Sequence, residues 1–254
     1  MAISVVQKAK NFSAYQVKPL TVTLPAGTTA GSYLAVVVEA SKSGAPFNLG
    51  SFGAHIPNPI VTDDKSNVYT TVDSIVGVSQ EANGINNPDA SGFFPSAYIY
   101  VVAAATGTQN ISIGAFYPDE YISPIQPGGN LASPPNVNGR PVFDGGLHAQ
   151  VFEVAGLATG VDVHGHGTTY GSTPLGAGLF TTSAVAGIII EAGILIDSAT
   201  ISPDTNVNSV LQYSQRLNAS TFMVQTRITG GAVTNAGFGN ALKYGGAVVG
   251  VALK

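Results

Sequence analysis

Apolar and polar positions alternate with a period near two along most of the chain, and that period predicts strands. Residues 20–25 (LTVTLP) alternate and stop at Pro-Ala-Gly. Residues 32–41 (SYLAVVVEAS) form a nearly unbroken β-branched run, the pattern of a strand buried on both faces. Residues 58–78 read as two strands around the turn DDKSN, because Asp and Asn supply the local hydrogen bonds a tight turn needs. SAYIYVVAAAT, QNISIGAF, LHAQVFEVAG, GIIIEAGILI, TFMVQTRIT and AVVGVALK follow, separated by clusters of Gly, Pro or Asn. The segment NVNSVLQYSQRLNAS also admits helical spacing, but Leu211, Tyr213 and Leu217 fit period two, and a strand is expected. No long amphipathic helix is predicted.

Short strands without intervening helices predict a β-sandwich or barrel. Residues 117–146 break the rhythm, being rich in Pro, Gly and Asn and too long for an ordinary hairpin loop. The strands beyond them look necessary to complete the first sheet, so the stretch reads as an excursion from one domain.

Charge changes the picture most. Asp, Glu, Lys and Arg make up 9% of the chain, against roughly 25% in ordinary soluble proteins. Ten basic and 14 acidic residues leave a net charge of −4, with no basic stripe to follow phosphates, so nucleic acid is not an expected partner. A weakly charged surface resists self-association poorly and suggests covering by neighbours in an assembly. Cysteine is absent, which removes disulfides, thiolate zinc sites and cysteine nucleophiles. The first residues lack the apolar core of a cleaved signal. Glu39 and Glu191 interrupt the two most apolar runs, which are too short to span a bilayer. A soluble protein without a membrane partner is expected.

Several pieces, taken in order, carry a resemblance: GSYLAVVVEAS, VTDDKSNVYTTVDS, AYIYVVAAATGTQNISIGA, QVFEVAGL, STPLGAGLFTTSAVAGIIIEAGI and the terminal GGAVVGVALK. From about residue 20 onward the chain resembles β-sandwich modules, jelly-roll or concanavalin-like, of tail, spike and decoration proteins of tailed bacteriophages. Two positions depart from that pattern. Ser66 stands where Gly is usual, and Tyr244 precedes the last strand where Trp is common; the chain has no Trp. The absence of Trp removes the stacking platform of many sugar-binding modules. The resemblance implies an all-β fold, an antiparallel jelly-roll-like β-sandwich with long Gly/Pro-rich excursions. Residues 1–254 would form a single domain, with 1–19 an N-terminal arm and 117–146 the long excursion. It also implies a non-enzymatic structural protein of the virion, in capsid decoration, head or tail, whose partners are copies of itself and other virion proteins. A receptor- or carbohydrate-binding module recognising a host surface glycan is the alternative.

The residues offer little chemistry beyond this. His164 and His166, in VDVHGHGTTYG, could present two imidazoles from one face of an extended segment, and neutral imidazole suits iron, zinc or nickel. One chain supplies only two such ligands, and a third would have to come from Asp162, His148 or a trimer. Some phage fibre tips and spikes do use such a pair from each of three chains. A glycine-flanked polar loop is the expectation, with no metal and no cofactor. Asp63, Asp64 and Asn67 lack the further oxygen ligands of a calcium loop and are expected in a hairpin turn. Asp119 and Glu120 are adjacent and would point to opposite sides, unlike a glycosidase pair. No serine lies in a Gly-x-Ser-x-Gly elbow, so an enzyme is not expected.

Overall fold

A computed structural model describes residues 2–13, 19–43, 59–76, 93–115, 136–137, 140–141, 147–169, 180–183, 185–196, 209–217, 220–234, 237–238 and 246–254. At its centre lies β3 (Tyr33–Ser43), whose residues Leu34, Ala35, Val36, Val37 and Val38 are all fully buried. The β-branched run is therefore covered on both faces, as its pattern predicts. Its sheet has the order β1 (Ser4–Ser13), β10 (Leu147–Ala155), β3, β6 (Phe93–Ala103), β5 (Thr70–Val76). A second five-stranded sheet runs β11 (Val161–Thr169), β15 (Gly246–Leu253), β12 (Gly187–Ile196), β14 (Ser220–Thr229), β13 (Val210–Leu217). A small sheet of β2 (Leu20–Thr23), β7 (Asn110–Ala115) and β4 (Pro59–Asp63) lies on the far side of the first. Every described pairing is antiparallel, and no helix occurs among the described residues. The protein is an antiparallel, all-β sandwich, with a third layer that the sequence reading did not anticipate.

Strand periodicity explains how one sheet serves two cores. Ala35 and Val37 of β3, Ala97 and Ile99 of β6 and Phe152 of β10 face Ile190, Phe222, Val249 and their neighbours in the second sheet. The alternate residues Val36, Val38, Tyr98, Tyr100 and Val151 face Val22, Val61, Ile111 and Ile113 of the small sheet. The outer face of the second sheet is covered by Phe180 and Phe238, packed on Ile189 and Ala252 and on Leu195, Met223 and Val248 respectively.

Strand β10 follows the 117–146 stretch in the chain yet lies between β1 and β3. It pairs with them along nearly its whole length. Within that stretch only the two-residue strands β8 (Asn136–Val137) and β9 (Arg140–Pro141) are described, paired to each other. Nicking there should leave two fragments that elute together and melt in one transition, because neither retains a complete central sheet. Separately stable halves after limited proteolysis would show otherwise.

Two elements differ from expectation. Residues 4–13, expected within an N-terminal arm of residues 1–19, are strand β1, hydrogen-bonded to β10. Asp63 and Asp64 begin a turn, but it is no hairpin: β4 pairs with β7 in the small sheet and β5 with β6 in the central one. Ser66 in this turn has φ 60°, the left-handed region, so it adopts the conformation for which glycine is the ordinary choice. Ser66→Gly should raise stability by about 0.5 kcal/mol, the relief of that conformation exceeding the added freedom of the unfolded chain. A lower denaturation midpoint would contradict this.

All four edge strands of the two large sheets carry a bulge, at Val6 in β1, Val72 in β5, Asp162 in β11 and Gln212 in β13. No interior pairing of these sheets shows a register shift. An extra residue twists an edge strand and interrupts its ladder, which hinders the addition of a foreign strand.

Candidate functional site

The two sheets are tied together at both open edges. On one side Lys8 of β1 donates to Gln212 of β13, and the Lys10 ammonium lies 4.3 Å from the centre of the Tyr213 ring. On the other side β5 faces β11, and there the only polar link between the two strands given by the described residues joins three side chains. The bulge at Val72 sets the phase of Asp73, which faces inward opposite Ile99 with its side chain 7% exposed. His164 and His166, opposite Val251 and Val249, lie on the core side of β11. Their Nδ1 atoms are 2.8 Å from Asp73 Oδ2 and 2.6 Å from Asp73 Oδ1. The third acceptor position on that carboxylate takes the Ser74 backbone N–H at 2.8 Å.

The histidine segment is therefore a strand, not the glycine-flexible loop expected from its composition. Gly165 sits opposite Gly250, where the ladder continues without interruption. The two imidazoles do share one face, as the i, i+2 spacing predicts, and each is 49% exposed. Neither of the proposed helpers joins them. Asp162 accepts from Lys254 Nζ at 2.7 Å and from the Ser183 N–H at 2.8 Å, and these donors hold its carboxyl below the usual range. His148 lies elsewhere, inside the sandwich. Asp73 was missed by the sequence reading. Its signal was an acid at an inward position of the apolar-alternating TTVDSIV, masked by the bulge that shifts the alternation.

A second polar group is wholly buried. Glu39 of β3 stands directly across from His148 of β10, with Oε2 2.7 Å from Nδ1 and neither side chain exposed. Burial raises the Glu39 carboxyl well above 4.5, opposed by the backbone N–H groups of Met223 and Gly193. Burial, with a smaller contribution from Lys10, lowers the His148 imidazole to about 3. Both directions favour an uncharged pair sharing one proton. His148 also stacks on Tyr213, with ring centres 3.8 Å apart and planes within 2°. The two glutamates that interrupt apolar runs thus lie in the interior, Glu39 between the large sheets and Glu191 under Phe180, where it accepts from Gln225 at 2.7 Å.

The acidic turn is structural. Asp63 accepts from the N–H groups of Lys65 and Asn67, the Asn67 amide and the Tyr69 hydroxyl. Burial pushes its carboxyl up, but these donors outweigh that and leave it below the ordinary value. Asp64 accepts from the backbone and side chain of Asn110 and from the Gln109 N–H. Asp63 thus closes the turn on itself, and Asp64 fastens it to the start of β7. Tyr98 and Tyr100 are buried in the core. Asp119, Glu120 and Tyr244 lie outside the described residues.

Among the described residues, no group of three or more His, Asp, Glu or Cys side chains is placed to hold a metal, and no helix is long and apolar enough to cross a membrane. No family model, curated protein or solved structure matches the chain.

Proposed function

We propose that the protein is a non-enzymatic structural component of a tailed-bacteriophage virion, in capsid decoration, head or tail, acting as many assembled copies. The observation that carries this reading is the scarcity of charge, 9% of residues, on a layered β scaffold whose ordered sequence pieces resemble such modules. The bulged edges bear on how copies would meet. In-register strand addition is hindered at all four of them, so contacts fall to side chains and loops. Exposed Phe12, Ile60, Val68, Val210 and Ile228 provide apolar contact points.

Apolar and neutral contacts have little charge to screen. The protein should therefore stay bound to purified particles through a wash in 1 M NaCl, and protein quantification should find it in many copies per particle. Release by salt alone, or absence from every particle fraction, would refute the reading.

A further inference from the structure

We propose that His164 and His166 form a two-nitrogen site for a divalent transition metal ion, with Asp73 as the residue that positions both rings. The inference goes beyond the virion reading and stands independently of it. A carboxylate accepts hydrogen bonds and cannot donate them. Each Nδ1 facing Asp73, at 2.8 and 2.6 Å, therefore carries the ring proton. With its proton on Nδ1, an imidazole keeps its lone pair on Nε2. Neither Nε2 has a partner among the described residues, while both side chains are 49% exposed.

An imidazole whose Nδ1–H is held by a carboxylate, leaving Nε2 free, is the usual condition of a metal-binding histidine. Here one buried carboxylate imposes it on two rings at once. Residues two apart on a strand are separated by about 6.6 Å at Cα, and both rings lean towards the same acid, which keeps them on one side of β11. The strand also answers the objection that flexible glycines would scatter the pair, since residues 163–169 are paired without a break to β15. With two nitrogen donors from the chain and water completing the coordination, the order of affinity should be Cu²⁺ above Ni²⁺ above Zn²⁺.

Titration calorimetry of the full chain with NiCl2, repeated with CuCl2 and ZnCl2, tests this. One saturable ion per chain is expected, in that order of affinity. His164→Gln and His166→Gln can still donate to Asp73, so each should keep the fold while weakening Ni²⁺ binding at least tenfold. Asp73→Asn keeps both imidazoles but puts a donor NH2 in place of one of the two acceptor oxygens that fix them, and should weaken binding by about 10–100-fold. Circular dichroism of each variant without metal establishes that it is folded. In addition, the nitrogen splitting in the Cu²⁺ electron paramagnetic resonance spectrum of the unmutated chain should report two imidazoles. No saturable binding, or Ni²⁺ binding undiminished in folded His164→Gln and His166→Gln, would overturn the site. Undiminished binding in folded Asp73→Asn would overturn the positioning role.

Discussion

His148→Ala is expected to destabilise the protein by about 3–5 kcal/mol, from truncating a fully buried ring and leaving a buried carboxyl without its hydrogen-bond partner. Glu39 would lose its 2.7 Å partner at a site with no solvent, and Tyr213 would lose the ring stacked upon it. The pair also shapes the response to pH. In the unfolded chain Glu39 and His148 return to ordinary values of 4.5 and 6.5. Between those values the unfolded chain holds one proton on the two groups, as the folded pair does, so their contribution is flat. Below pH 4.5 the unfolded chain takes a second proton that the folded pair refuses until about pH 3. Stability therefore falls on acidification, by about 1.4 kcal/mol per pH unit from this pair. Above 6.5 the unfolded chain releases its proton while the folded pair retains it through the raised Glu39, and stability falls as pH rises. Glu39→Gln can still donate to His148 but cannot titrate. It should abolish the alkaline decline and move the start of the acid decline from 4.5 to 6.5. Denaturation midpoints across pH 3–9 would show this, and an unchanged profile in the variant would contradict the shared-proton description.

Phe152→Ala should cost about 3–5 kcal/mol, the range for truncating a buried aromatic. Phe152 is fully buried between the two large sheets, on the strand that enters the central sheet after the long excursion. Because β10 bridges β1 and β3, the loss should lower one cooperative urea transition by tyrosine fluorescence and circular dichroism alike. Two separated transitions would instead indicate independent halves.

The interior strands were legible because burial on both faces makes them near-continuous apolar runs. β3, β6, β10, β12 and β15 all follow runs recognisable in the sequence, and β13 resolves in favour of the strand that Leu211 and Tyr213 suggest. The strands without a clear signal, β1 and β11, are bulged edges. An extra residue shifts the alternation by one position, and polar side chains such as Lys8, Lys10, His164 and His166 occupy positions that interior strands fill with Val or Ile. The candidate site was half legible for the same reason. The His-x-His spacing places two rings on one face, but nothing local says that an acid 91 residues earlier in the chain will meet them. That contact exists only because β5 and β11 are the corresponding edges of two stacked sheets. The third layer was equally invisible, since a strand pattern states that a face is buried and not which element buries it.

Under the proposed function, copies of this chain associate through sparsely charged surface. Sedimentation velocity of the purified protein over a hundredfold range of concentration, in 0.1 M and 1 M NaCl, tests it most directly. Concentration-dependent oligomers are expected, in a distribution that is the same or larger at high salt. A protein that remains monomeric throughout, or oligomers that dissolve in 1 M NaCl, would contradict it.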